Sequence, residues 1–362
     1  MKILNVAGAR PNFMKIAPVL AEIRRRGGPL EHLLVHTGQH YDDKMSRVFF
    51  EELELPEADV NLAVGSGSHA WQTAQVMMRF EPVLAEYKPD WVLVPGDVNS
   101  TLACALVAVK LGFRVAHLEA GLRSFDRTMP EEINRLVTDQ IADLLLTPSP
   151  DANRNLLREG VAPEKIALVG NVMIDTLVRL QPKAELRWPA LSRQWSLRNK
   201  AFALVTLHRP SNVDDPVRLA SVLRALTALS RRIPVLFPLH PRTRRRLAGQ
   251  QAAPEQLRMV EPLGYLDFLA LQPRAALVIT DSGGIQEETT YLGVPCLTLR
   301  ANTERPITIA EGTNRLAPGG EDQLLAAALE ILAAPPPARR PALWDGHAAA
   351  RVVGALLAAA PA

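Results

Sequence analysis

Short apolar runs recur along the chain between longer stretches whose apolar positions repeat every three to four residues. In the first half these runs fall at residues 3–7, 32–36, 91–95, 115–118, 144–147 and 166–169. They are near-continuous rather than alternating, as strands covered by helices on both faces must be. Between them, residues 12–26, 70–87, 100–110, 131–141 and 151–159 each carry an apolar stripe, which predicts helices. Strand and helix alternate through mostly short loops, so residues 1–170 are expected to form one parallel sheet with right-handed crossovers.

The pattern then restarts, after a helix beginning near Met173. Residues 181–200 show no clear period and read as a connector with one short helix. Further strands are expected at 202–207, 235–239, 276–280 and 296–299, with helices at 216–229, 285–292 and 321–332. Proline and alanine between 334 and 342 break the last of these, and an alanine-rich helix follows at 348–360. The fold class is therefore α/β, with one Rossmann-like domain over 1–170 and a second over 171–347.

At 362 residues the chain is too long for a single ordinary core, which agrees with two domains. Cys104 and Cys296 lie far apart in apolar segments and offer no disulfide framework or cysteine metal cluster. A net charge of only +3, with arginines scattered apart from 24–26 and 244–246, argues against a nucleic-acid partner. The start, MKILNVAG, enters a strand pattern at once, so a cytoplasmic protein without a leader is expected. No 18-residue apolar stretch lacks a charge, so no membrane span is expected.

Candidate chemistry lies where strands end, the place where open α/β sheets bind ligands. AGARPNFMK, PGDVNS, EAGLRS, LHRPSN, LHPR and DSGGIQEE all occupy such positions. Ser282, Gly283 and Gly284 stand between a strand and a helix, where a tight turn aims backbone amides and the positive helix end at an anion. Glu288 lies on the same helix face one turn deeper, placed for ribose hydroxyls; a capped helix with solvated acids is the competing reading. Gly8-Ala9-Arg10-Pro11 is neither a dinucleotide fingerprint nor a Walker loop, so nicotinamide and ATP are not indicated. Arg10 and Lys15 suit phosphate or a sugar, or are plain surface cations.

Asp97, Glu119 and Glu131 are the candidate acids. Crowded carboxylates separate in pKa, so that one accepts a proton while another donates. Helix capping by Asp97 and an i,i+4 pair between Glu131 and Arg135 are the alternatives. His208 and His240 follow two strand ends and suit phosphate contact or acid–base work. No HExxH or cysteine/histidine spacing accompanies them, so no metal is expected.

Taken in order, GARPNFMKIAPV, TGQHYDDKM, PGDVNSTLA, HLEAGLRS, PEEINR, VGNVMIDTL, LHRPSNVD and TDSGGIQEE make the chain resemble the non-hydrolysing UDP-N-acetylglucosamine 2-epimerases. The resemblance implies a glycosyltransferase-B-like pair of Rossmann-like domains facing an interdomain cleft, a C-terminal helix crossing back to the first domain, and usually a homodimer. It implies interconversion of UDP-GlcNAc and UDP-ManNAc, without metal or oxidising cofactor, through loss of UDP, a 2-acetamidoglucal and re-addition. Asp97, Glu119 and Glu131 become the catalytic acids, with His208 close to the reacting group. Arg10, Lys15, His240 and the amides near Gly283 become the holders of UDP.

Two stretches depart from the family pattern. His-Arg-Arg-Glu-Asn is replaced by His208-Arg209-Pro210-Ser211-Asn212, and the usual start G-T-R-P-E-A-I-K reads GARPNFMK. In some bacterial members these regions help bind a second, activating UDP-GlcNAc; Gln39, His40 and Arg209 are retained here. The loop between Glu119 and Glu131 is also shorter than usual, which leaves room for a modified sugar. A nucleotide-sugar glycosyltransferase, a hydrolysing epimerase and a non-enzymatic sensor are the competing functions.

Overall fold

Among the described residues seven strands form one sheet and six another, and every strand pair in both is parallel. The computed structural model describes residues 1–38, 52, 54, 57–247 and 256–359. The first sheet contains β1 (Lys2–Ala7), β2 (Glu31–His36), β3 (Val60–Asn61), β4 (Trp91–Pro95), β5 (Val115–Leu118), β6 (Leu144–Thr147) and β7 (Ile166–Leu168). Its order is β3-β2-β1-β4-β5-β6-β7. The chain thus winds outward from β1 in one direction, returns, and resumes at β4 on the other side. Leu4 pairs with Leu33 of β2 and Val92 of β4, which sets the register at that reversal.

The second sheet repeats the device with β8 (Ala203–Thr206), β9 (Val235–Pro238), β10 (Leu257–Val260), β11 (Leu277–Thr280), β12 (Cys296–Thr298) and β13 (Asn314–Leu316). Here the order is β10-β9-β8-β11-β12-β13, so the reversal lies between β8 and β11. At such a switch point two loops diverge and leave a crevice beyond the carboxyl ends. Every expected strand forms. The three that the hydrophobic pattern does not announce, β3, β10 and β13, are all sheet edges.

Each sheet is the centre of its own core. Leu4, Val6, Val92, Val94, Phe80, Leu84 and Leu145 pack together in the first unit. Val205, Phe237, Leu226, Ile279, Leu297 and Leu324 do so in the second. Contacts divide the chain into Met1–Arg179 with Ala342–Ala362, and Leu180–Pro341. Both divisions differ from the expected 1–170 and 171–347. Val172, Ile174 and Leu177 at the start of the helix Val172–Glu185 are buried, and Thr176 Oγ1 donates to Met14 O at 2.6 Å, so these turns belong with the first unit.

Asp175 on that helix caps another. Its carboxylate accepts from the Ala348 and Ala349 amides at 3.0 and 2.7 Å, supplying the helix Ala348–Ala358 with acceptors that its own N-terminus lacks. Trp344 Nε1 adds a bond to Pro148 O, and Arg26 Nη2 one to Ala350 O. Replacing Asp175 by Ala is expected to speed amide exchange in Ala348–Ala358 by about five- to thirtyfold, the loss of a cap of about 1–2 kcal/mol. Unchanged exchange there would show that the cap does not hold the helix.

Candidate active site

Beyond the carboxyl end of β1 the chain turns directly into the helix Arg10–Arg26. Asn12 fixes that turn: its Oδ1 accepts from Gly8 N and Ala9 N at 3.1 and 2.9 Å, while Nδ2 donates to Pro95 O at 2.9 Å. One side chain therefore ties together both loops of the first switch point. Lys15, one turn on, is buried rather than a surface cation, and its ammonium is ion-paired with Glu119 Oε2. Gly96 lies against this pair with φ +68°; a Cβ there would stand 2.7 Å from Lys15 Nζ. Glu119 itself adopts φ +72°, a conformation that costs a non-glycine residue of order 1–3 kcal/mol and that packing must impose.

Beneath these loops lies a buried ionic cluster. His117 Nδ1 sits 2.6 Å from Asp139 Oδ1 and its Nε2 2.7 Å from Gly96 O. Asp139 Oδ2 also accepts from Gly121 N at 3.1 Å and pairs with Arg123 at 2.7 Å. Burial pushes the Asp139 carboxyl up, but His117 and Arg123 outweigh it and hold the group below the usual range. The cluster thereby clamps the residue before Asp97 and the loop after Glu119.

Asp97 accepts from Arg135 Nε at 3.0 Å and remains 28% exposed at its side chain. Arg135 also pairs with Glu132, which is buried and accepts from Ser124 N, Ser124 Oγ and Phe125 N at 2.9 Å each. The alternative pairing of Glu131 with Arg135 does not form. Glu131, in the first turn of the helix Pro130–Ile141, is half-buried with no hydrogen-bond or ion-pair partner among the described residues. Two acids are thus held by cations, and a third is left unmatched.

The second unit builds its own strand-end constellation. Ser282 precedes the helix Gly283–Leu292, and its amide donates to Thr280 Oγ1 at 3.0 Å. Arg305 crosses Gly283, with Nη1 2.5 Å from where a Cβ would stand, so a larger residue there would displace the guanidinium. Gly284 continues the same helix turn. Glu288 is 2% exposed, so it is not a solvated acid; Tyr265 Oη donates to it at 2.9 Å, and Gln272 Nε2 donates to its other oxygen. Burial, with Glu287 alongside, pushes its carboxyl up to about 7 against those two donors.

His208 follows β8 with its ring 5.7 Å from that of the exposed His240. Arg209 donates through Nε to Asp281 O at 3.0 Å and approaches Glu304 at 3.7 Å, so part of its donor set is already taken. Arg10 opens the first helix. Gln39 and His40 lie outside the described residues. Among the described residues no group of three or more His, Cys, Asp or Glu side chains is placed to hold a metal, and no helix is long and apolar enough to cross a membrane.

Sequence reasoning missed Glu132, His117 and Asp139, and gave Arg135 a role only as a possible partner of Glu131. A signal for some existed: Glu132, Arg135 and Asp139 recur at one face of a helix, where buried charges in mutual reach stand out from a solvated stripe.

Two parallel sheets with helices, reversing at their centres and carrying polar loops at their carboxyl ends, define a two-Rossmann α/β protein of the glycosyltransferase-B type. Residues 21–357 match the model of a family described as UDP-N-acetylglucosamine 2-epimerase. The chain is 42% identical over 340 residues to the UDP-N-acetylglucosamine 2-epimerase of Methanocaldococcus jannaschii, covering 92% of each. It is also 42% identical over 331 residues to the UDP-2,3-diacetamido-2,3-dideoxy-D-glucuronate 2-epimerase of Pseudomonas aeruginosa, covering 91% of each. The crystal structure of the M. jannaschii UDP-GlcNAc 2-epimerase in complex with UDP-GlcNAc and UDP aligns with a TM-score of 0.88 at 40% identity, covering 99% of this chain and 100% of that one. The chain belongs to the non-hydrolysing UDP-N-acetylglucosamine 2-epimerase family.

Proposed function

We propose that the protein interconverts UDP-GlcNAc and UDP-ManNAc at C2 without hydrolysis. The near-full-length likeness to an enzyme crystallised with UDP-GlcNAc and UDP carries this reading. The C2 hydrogen has no adjacent carbonyl, so its direct removal builds an unstabilised carbanion. Elimination avoids that: the C1–oxygen bond to UDP breaks as the C2 proton leaves, giving 2-acetamidoglucal and UDP. A proton then returns to the opposite face of C2 and UDP to C1, so the reaction balances with neither oxidant nor water.

In this scheme Asp97 or Glu119 takes the C2 proton and Glu131 serves the opposite face. The ion pairs at Asp97 and Glu119, beside an unmatched Glu131, support giving the acids unequal roles. Amides near Gly283, with Arg10, Lys15 and His240, hold UDP as its charge grows, His208 stands close to the reacting group, and Glu288 accepts from the ribose. Gln39, His40 and Arg209 complete the set of residues that contact nucleotide sugar. The working form is a cytoplasmic homodimer with neither nucleic acid nor membrane as partner.

Incubation with UDP-GlcNAc alone in deuterated water is expected to place deuterium at C2 of a sugar that stays UDP-linked. Stoichiometric release of UDP would instead identify a hydrolysing enzyme, and absence of exchange across UDP-linked hexosamines would reject epimerisation. The equal identity to the P. aeruginosa glucuronate epimerase favours a second reading, a substrate modified at C3 and C6. A mass-resolved comparison of UDP-GlcNAc with UDP-linked diacetamido uronic acids decides between the two.

A further inference from the structure

Asp281 is fully buried at the end of β11, and no lysine or arginine side chain pairs with its carboxylate among the described residues. Nitrogen donors surround it instead. His208 N lies 3.1 Å from each oxygen, Arg209 N 2.9 Å and Asn212 Nδ2 3.1 Å from Oδ2, and His208 Nδ1 3.0 Å from Oδ1. Asn212 is itself pinned by a second bond to Leu299 O at 2.8 Å. Burial disfavours the charge, yet this shell led by His208 holds the carboxyl below the usual range. A buried carboxylate so arranged fixes the loop and the ring together.

We propose that Asp281 is a positioning residue that holds the His208 imidazole with Nδ1 protonated and turned inward, so that Nε2 is the atom offered to the substrate. Two acceptors 3.0 Å apart repel, so Nδ1 must carry a hydrogen towards Oδ1. The ring is 40% exposed, which leaves its far edge open to a ligand. Because Asp281 directly precedes the Ser282 turn, one carboxylate sets both the loop that meets diphosphate and the orientation of the histidine beside it. The proposal rests on His208 acting in the reaction, as the proposed function has it.

An amide in place of this carboxylate separates the two duties. In Asp281→Asn the single remaining oxygen would turn to the donors from His208, Arg209 and Asn212, leaving the NH₂ against Nδ1, which must then give up its proton to Nε2. The substitution is therefore expected to lower kcat by about 10²–10⁴-fold, as wrong-tautomer variants of carboxylate–imidazole pairs do, with UDP affinity within about threefold of wild type. In a His208→Gln background the same substitution should change kcat by less than about threefold. Additive losses in the double variant, or a parallel fall in UDP affinity, would reduce Asp281 to a structural part of the loop.

The ¹⁵N spectrum of the wild-type histidines, with the His208 signals assigned by their loss in His208→Gln, supplies a measurement that needs no Asp281 variant. A proton on Nδ1 at neutral pH is expected, and a neutral ring protonated only on Nε2 overturns the proposal. If His208→Gln turns over normally, the role given to His208 fails; if it is inactive while Asp281→Asn is not, the positioning inference alone fails.

Discussion

Glu131→Gln is expected to lower the rate of C2 deuterium uptake by about 10²–10⁴-fold, the usual worth of a positioned acid–base group, and to leave UDP affinity within about threefold of wild type. The amide keeps the bulk of the side chain and removes its capacity to exchange a proton. No partner among the described residues is orphaned by the change, because Arg135 is bound to Glu132 and Asp97 instead. That separates the substitution from an ordinary destabilising one, and the melting temperature should move little. Asp97→Asn is expected to match it in rate, but it also loosens Arg135, so the unfolding midpoint should fall. Wild-type exchange in both variants would remove these acids from the chemistry.

The second large effect is on binding. Glu288→Gln is expected to weaken UDP binding by about 10–100-fold, the loss of one or two hydrogen bonds to a charged acceptor. The pH dependence identifies the group. Burial holds Glu288 at about 7, against an ordinary value of 4.5, so below pH 7 it is protonated in the free protein. Two ribose hydroxyls need acceptors, so binding favours the ionised form, and affinity should fall as pH drops below 7, by up to about tenfold per unit. Glu288→Gln flattens that part of the profile, whatever the phosphates themselves contribute.

Stability moves the opposite way. A folded-state pKa above the unfolded one means that the group's contribution is complete below about pH 4.5 and is lost as pH rises through 7. The unliganded wild-type protein should therefore lose stability across that window more steeply than the variant. Calorimetric titration with UDP and thermal melts between pH 5 and pH 8 test both signs, and unchanged UDP affinity in Glu288→Gln would remove the ribose role.

The central strands were readable because burial on both faces writes an uninterrupted apolar run, as in Trp91–Pro95 and Leu277–Thr280. The edges β3, β10 and β13 have only one neighbour and partly exposed residues, and in so few residues of mixed character no periodicity can develop. Strand-end polarity likewise led to the loops bearing Asp97, Glu119, His208 and Ser282. It did not distinguish Glu131 from Glu132: adjacent helix positions point about 100° apart, and only the packed fold decides which acid turns inward. Nor did it show that Lys15 is matched to Glu119, since that pair joins the first helix to a loop far along the chain. The domain boundary differs for a related reason, because the helix Val172–Glu185 is continuous while its early and late turns fall in different units.

The cap that Asp175 gives to Ala348–Ala358 has a temporal side as well. Residues 342–362 leave the ribosome only after the whole of Leu180–Pro341, so the second unit can mature while the first still lacks a piece. Until then the face of Arg10–Arg26 that receives the late helix stays open to water and to chaperones. A nonsense change near residue 342 would consequently spare the later unit's own fold and cripple the earlier one, the reverse of what position along a message ordinarily suggests.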